Sequence, residues 1–227
     1  MKKITLSIIF YFFFPVSSFG HLQHYDKINY LEYDLFRNDN LIGSHKYDFI
    51  RNGENLMVKS IVNFKISKLG VDLYKYYAES SEEYNNNSFK SFKSKTLQNK
   101  KKKYVNISVK NDNKELIIDG SSFKGKADIN YVVGTWWNHE IIKAKAQISA
   151  ISGRIIEQKV IFLGEKQIDL NGKNYKALHF KFISSDETLP NNKKLNTDIW
   201  YDAKTYVWLK AQFVKQGNWE YRLKKLN

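Results

Sequence analysis

The sequence contains no cysteine. That excludes disulfides, thiolate metal sites, a cysteine nucleophile and the lipid-bearing cysteine that begins a bacterial lipoprotein. The chain must therefore be held together by its core. Proline is almost missing, with only Pro15 and Pro190. The few glycines are scattered singly, so no phosphate-cradling loop is present, and no Gly-x-Ser-x-Gly elbow occurs. No cofactor is expected from these motifs.

Arginine is also scarce, confined to Arg37, Arg51, Arg154 and Arg222, so the formal charge of +14 is carried by lysine. Arginine is the usual choice for bidentate contacts to phosphates and bases, and no segment gathers the cations into a groove-reading array. Nucleic acid is not expected as a partner. A basic, solvated surface attracted to anionic lipid heads or acidic envelope polymers is. The densest cationic run, Lys100 to Lys103, reads as a charged hairpin tip.

Only one long apolar run occurs, at the start. Lys2 and Lys3 precede Ile4 to Phe14, Pro15 breaks the run, and Ser18-Phe19-Gly20 places small residues before a cut. The run is about 11 residues, short of the roughly 20 needed to span a bilayer as a helix. Residues 1–20 therefore read as a cleavable signal, and residues 21–227 as a single β-rich domain long enough for one sizeable core. The expected address is the periplasm, without integration into the membrane.

What the sequence has in abundance is alternation. Leu56, Val58, Val62, Phe64 and Ile66 share one parity, while Lys59, Asn63 and Lys65 take the other. Val105, Ile107 and Val109 alternate with Asn106, Ser108 and Lys110, and Trp219, Tyr221 and Leu223 with Glu220, Arg222 and Lys224. Such patterns describe antiparallel strands with one buried and one wet face. Asn52-Gly53 and Asn171-Gly172 supply the dipeptide of a tight hairpin turn, and Asn-rich clusters punctuate the rest. Strands are expected near 27–37, 41–51, 55–66, 71–84, 89–97, 103–110, 115–119, 155–163, 166–170, 174–183, 196–202, 206–214 and 218–224. The expected fold is all-β: a large curved antiparallel meander or incomplete barrel. One short helix, Trp136 to Ala146, packs near or over its opening.

Aromatic residues make up 15% of the chain. In a curved sheet they can fill the interior or line a cavity for an apolar ligand. Trp136, Trp137, Trp200 and Trp208 are the candidates for the mouth of such a cavity. His45 shares a strand face with Leu41, Tyr47 and Phe49, which makes it either a hydrogen-bonded core histidine or a polar anchor in an apolar pocket. His179, beside Tyr175 and Lys181, reads as solvated. A cut after Gly20 would make His21 the first residue, where amine and imidazole together could chelate copper, with His24, His45, His139 or His179 completing the set. Asp198 and Asp202 sit four apart on one strand, about 13 Å between α-carbons by strand rise, which is far for a carboxylate pair.

Asp198-Ile199-Trp200-Tyr201-Asp202, followed by Trp208-Leu209, Gly217 and Tyr221-Arg222-Leu223, resembles the end of an exported bacterial family catalogued as domain of unknown function 6134, akin to domain of unknown function 3108. Leu41-Ile42-Gly43-Ser44-His45, the stretch Glu83 through Leu97, Trp136-Trp137-Asn138 and Ser152-Gly153 resemble earlier parts of it. The resemblance implies a periplasmic protein whose curved sheet is similar to that of the bacterial lipoprotein carriers. It implies no catalytic residues. The leading expectation is thus a non-enzymatic envelope protein that binds an apolar or amphiphilic ligand, or a protein partner. The rivals are a copper-dependent or hydrolytic envelope enzyme and a small outer-membrane barrel.

Overall fold

The computed structural model describes residues 25–110 and 114–227. The strands are β1 (Tyr30–Arg37), β2 (Asn40–Asn52), β3 (Asn55–Lys68), β4 (Val71–Asn85), β5 (Ser88–Gln98), β6 (Lys101–Val109), β7 (Glu115–Gly120) and β8 (Lys124–Asp128). The chain continues through β9 (Val132–Val133), β10 (Ala146–Ile148), β11 (Ile155–Leu170), β12 (Lys173–Ser184), β13 (Asn196–Asp202), β14 (Trp208–Val214) and β15 (Asn218–Leu226). All fifteen belong to one sheet, ordered β8-β7-β6-β5-β4-β3-β2-β1-β15-β14-β13-β12-β11-β10-β9. Sequence neighbours are therefore sheet neighbours almost throughout, as alternation and short turns require. The pairing of β1 with β15 brings the two ends of the described chain together.

The sheet is curved but not closed. Its edge strands, β8 and β9, follow each other in sequence without pairing, and a turn closed by Tyr131 N–H to Asp128 O (3.1 Å) joins them. The expectation of an incomplete barrel holds.

The hairpins show where turn chemistry decided the path. Asn171 and Gly172 both take positive φ (56° and 77°) between the paired Leu170 and Lys173, as a type I′ turn demands. Asn38-Asp39 and Asn86-Asn87 do the same. Asn52-Gly53 does not. Asn52 still pairs with Asn55, so the turn centres on Gly53-Glu54 with glycine alone at positive φ, the pattern of a II′ turn.

Three expectations need correction. The segments near 155–163 and 166–170 are one strand, β11, with a register irregularity between Phe162 and Glu165. Strands β8, β9 and β10 were not anticipated. Trp136 to Ala146 is not a helix, since only His139–Ile142 forms a single 3-10 turn, capped by Asn138 Oδ1 accepting from Glu140 N–H (3.1 Å). The segment crosses the interior at Thr135 to Trp137, and its later residues, Glu140 and Lys143 to Lys145, come out at a surface cleft beside Asn87 and Asp128.

That crossing segment is a plug gripped by the barrel wall. Three successive carbonyls, those of Thr135, Trp136 and Trp137, accept hydrogen bonds from the hydroxyls of Tyr47 (2.6 Å), Tyr201 (2.9 Å) and Tyr25 respectively. Glu82 of β4 reaches in from another side. Its carboxylate accepts from Trp137 Nε1 (2.9 Å), Thr135 Oγ1 (3.3 Å) and the Tyr84 hydroxyl. Trp137 N–H also closes a three-residue turn onto Thr135 O (2.8 Å), which places Trp136 at φ 61°. For a bulky non-glycine residue that conformation is strained and persists only where surrounding contacts enforce it.

Two apolar clusters flank the plug. The larger runs from β1–β4 across to β11–β15 and includes Leu31, Tyr33, Tyr47, Phe182, Ile199 and Trp208. The smaller lies where β5–β7 fold over β9 and β10, around Phe92, Ile107, Leu116, Ile118 and Ile148.

Gly43 explains its own place in the Ile-Gly stretch. A β-carbon there would fall 2.1 Å from Asn63 O and 2.5 Å from Phe64 Cβ, so β2 and β3 could not keep their spacing. Gly43→Ala should cost about 1–3 kcal/mol by overpacking, read as a lower urea midpoint at unchanged slope. Glu82→Ala should cost about 3 kcal/mol or more by stripping partners from buried donors. Glu82→Gln, which keeps an acceptor for Trp137, should lose clearly less. Equal melting temperatures for the two Glu82 variants would contradict the gripping role.

Candidate functional site

Beside the plug, an aromatic cleft opens at the end of the barrel that carries the β1–β2, β3–β4 and β14–β15 turns. Its volume is about 550 Å³. The walls follow from strand parity: Phe64 and Ile66 from β3, Tyr74 and Tyr76 from β4, Phe213 from β14, and Trp219 and Tyr221 from β15. The rings support one another. Phe64 stacks on Tyr76 (centroids 4.7 Å) and meets Trp219 edge-on (5.3 Å), and Trp219 stacks on Phe213 (5.8 Å). Arg37 is at the rim, its guanidinium donating to Gln216 O and lying 6.0 Å from the Trp219 ring centre.

Tyr76, Tyr221 and Ile151 are shared between this cleft and a smaller inner chamber of about 120 Å³. The chamber is polar on one side, with Ser60, Ser80, Ser94 and Thr96, and is closed by Thr135, Trp136 and His45. Ser60 and Ser80 bond each other (2.9 Å), and Ser94 donates to Ala150 O (2.6 Å). Other polar atoms here have no bonding partner among the described residues: both ring nitrogens of His45 and Trp136 Nε1, all shut off from bulk solvent. Buried polar groups are normally paired, so this cluster stands out. Burial holds the His45 imidazole down at about 3, so it is neutral at ordinary pH, with one nitrogen a donor and the other an acceptor.

The sequence candidates separate into four places. His45 and Trp136 line the chamber. Trp208 lies behind them, stacked on Tyr33 (4.0 Å) and meeting Trp136 edge-on (5.4 Å), and is fully buried. Trp137 is on the other side of the plug, among Tyr25, Phe49 and Tyr84, where it fills the core. Trp200 is not at the mouth. It is itself buried (8% exposed), on the strand face opposite Ile199 and Tyr201, stacked on His179 (4.2 Å) with Lys210 Nζ 5.3 Å from its ring. His179 is accordingly covered rather than solvated, and its Nε2 is 2.8 Å from Asp198 Oδ1. His139 is near Tyr25 and Tyr206. His21 and His24 lie outside the described residues. Among the described residues no three His, Cys, Asp or Glu side chains gather to hold a metal ion.

Sequence reasoning missed Phe64, Tyr74, Tyr76, Phe213 and Trp219 as a group. The signal was present in the parity of Phe64 with Ile66, Tyr74 with Tyr76, and Trp219 with Tyr221. What no parity count could tell was which inward rings meet across the barrel and which leave a gap. Chemically, the arrangement offers aromatic contact along the cleft and unpaired, neutral hydrogen-bonding groups at its end.

Fold and cleft together define a plugged, open β-barrel-like protein. The chain belongs to the family described as "Domain of unknown function (DUF6134)", which matches residues 33–224. The fold is shared with the β-barrel-like protein of Domain of Unknown Function DUF1849 from Brucella abortus, at TM-score 0.60 and 11% identity, covering 88% of this chain and 97% of that one. A DUF1329 family protein from Desulfovibrio piger aligns over 91% of this chain and 88% of its own, but at TM-score 0.23 and 9% identity it carries no structural argument. No curated protein matches.

The unpaired His45 has a pH signature. Its proton is bound in the unfolded chain near pH 6.5 but in the folded protein only near 3. Stability from this group is therefore complete above the unfolded value and is lost as pH falls through the window between the two. From pH 7 to pH 5 the loss should be about 2 kcal/mol, at roughly 1.4 kcal/mol per pH unit. Urea unfolding of wild type and His45→Leu at both pH values checks this: the variant should lack that part of the decline, and parallel declines would refute it.

Proposed function

We propose that this chain is an exported envelope protein that binds a small amphiphile without transforming it. The apolar part of the ligand lies along the aromatic cleft, and a neutral, ring-sized polar head enters the inner chamber. The observation that carries this reading is the continuity of an aromatic cleft with a chamber whose His45 and Trp136 polar atoms have no protein partner among the described residues. The cleft volume falls within the roughly 300–1,000 Å³ of ligand sites. The chamber is close to the ~150 Å³ cavity size that accepts a benzene-sized ring, and a neutral donor–acceptor pair suits a head bearing carbonyl or hydroxyl oxygen. A charged head is disfavoured, because no countercharge faces His45 and burial of an unpaired ion is costly.

Binding rather than chemistry is supported by the site's composition. His45 has no carboxylate or hydroxyl within hydrogen-bond reach among the described residues, so it makes no dyad of the kind nucleophilic catalysis needs. An amphiphile carrier seated at the envelope also fits the apolar amino-terminal run, which reads as an export signal. Lys59, Lys65, Lys93 and Lys95 are exposed on the outer face of β3 and β5, where an outer-membrane barrel would carry an apolar band.

Titration with N-phenyl-1-naphthylamine, a neutral ring-bearing probe, should give saturable one-to-one fluorescence enhancement. Trp219→Ala should weaken it at least about tenfold, as expected for loss of a central aromatic contact, and native mass spectrometry of protein from its own envelope should show a co-purifying small molecule. Absence of saturable binding together with bare polypeptide in the spectrometer would sink the reading. Recovery in the periplasmic fraction with His21 as first residue checks the export step.

A further inference from the structure

The end of the barrel where the cleft opens has a surface that ligand binding does not explain. Four hairpins converge there. The β1–β2 and β14–β15 turns are stitched by Asn38 N–H to Asn218 O and Asn218 N–H to Asn38 Oδ1, both 2.8 Å. The β5–β6 turn is fixed to β4 by Asn99, which exchanges two 2.8 Å bonds with the Lys75 backbone. Between them the β3–β4 hairpin projects furthest from supporting neighbours, with Leu69 and Gly70 at its tip, both at positive φ.

The tips carry apolar side chains where water-facing turns normally carry polar ones. Leu69 is 94% exposed, Val214 80%, Val71 62% and Leu73 57%. Leu73 also lines the cleft mouth, so the exposed apolar surface runs into the site. Single exposed apolar residues need no explanation, but several at adjoining turn tips around one opening do. Cations surround them. Lys68, Lys100, Lys101 and Lys215 are exposed on the same turns, and among the described residues they make no ion pair. Two acids share these turns: Asp72 is already neutralised by Lys75 (3.0 Å) and Lys65 (3.8 Å) and held by the Ser67 hydroxyl (2.6 Å), and Asp39, on the β1–β2 turn, is in electrostatic contact with Arg222.

We propose that these hairpins seat the protein on an anionic lipid bilayer, with the cleft mouth facing the membrane. The apolar tips would enter the headgroup boundary while the unpaired lysines lie among lipid phosphates. Apolar burial combined with electrostatic attraction is how peripheral proteins hold to such surfaces. It also places the cleft where an amphiphile can pass between bilayer and protein without crossing water. The lysine run from Lys100, a solvated tip when read alone, becomes part of a built surface.

The test is co-sedimentation of the mature full-length chain with vesicles of phosphatidylglycerol and phosphatidylethanolamine, set against vesicles of phosphatidylcholine. Wild type should bind the anionic vesicles, and salt should weaken the binding. Leu69→Ser combined with Val71→Ser should reduce it by about tenfold or more, the scale expected for two buried aliphatic side chains. Circular dichroism and melting temperature should not change, since both residues are exposed. If the double variant binds as wild type does, net charge alone is responsible and the proposal fails; it fails equally if wild type ignores anionic vesicles at low salt. Naphthylamine binding without vesicles reads the cleft alone and should be unchanged in the double variant, so the two readings can fail separately.

Discussion

The architecture depends on the barrel wall satisfying the backbone of the segment that crosses its interior. A non-helical stretch inside a barrel carries carbonyls that would otherwise be stranded in an apolar core, and leaving them so costs more than a bond gains. Here Tyr47, Tyr201 and Tyr25, from widely separated parts of the chain, each donate to one of three consecutive carbonyls, and Glu82 takes the side-chain donors. Burial raises the Glu82 carboxyl above its ordinary value, opposed by the bonds from Tyr84, Trp137 and Thr135. The same set of contacts enforces the strained backbone of Trp136. Trp136 in turn forms one wall of the chamber.

Most of the sheet could be read in the sequence because its strands are long and have one wet face, so side-chain parity survives over many residues, as in β3. Legibility failed where that condition failed. Ala146, Gln147 and Ile148 of β10 are buried on both faces, and a strand without a wet face has no alternation to detect. Strand β8, Lys-Gly-Lys-Ala-Asp, is a short charged edge with little intrinsic preference for extended structure. Around Trp137 and Ile141 the helical spacing was real, and both residues are buried. Yet the path is set by hydrogen bonds from strands more than fifty residues away, which no local pattern encodes.

The candidate site was half legible for a related reason. His45 was marked by a polar residue on an apolar face, and Trp136 by its composition. Trp200 was chosen for its size, although its parity with Asp198 and Asp202 already put it on the outward side. Size tells how much surface a ring can bury, whereas parity tells where it points, and for Trp200 parity was the better guide. That the rings at Phe64, Tyr76 and Trp219 meet around a gap is a property of curvature, which arises only when all the strands are assembled.

The seam between β8 and β9 has a further consequence. Edge strands invite pairing with other chains, but these two are five and two residues long and tied together by the connection between them. The longer open margin is on β11, which β10 pairs only at Ile155, Ile156 and Glu157, so among the described residues the rest of that strand has a strand partner on one side alone. Across the seam the two margins are latched instead by Ser122 N–H to Ser152 O (2.8 Å), by Ser94 Oγ to Ala150 O (2.6 Å) and by the packing of Phe92, Leu116 and Ile118 on Val133 and Ile148, so loops and side chains close the ring where strand pairing does not.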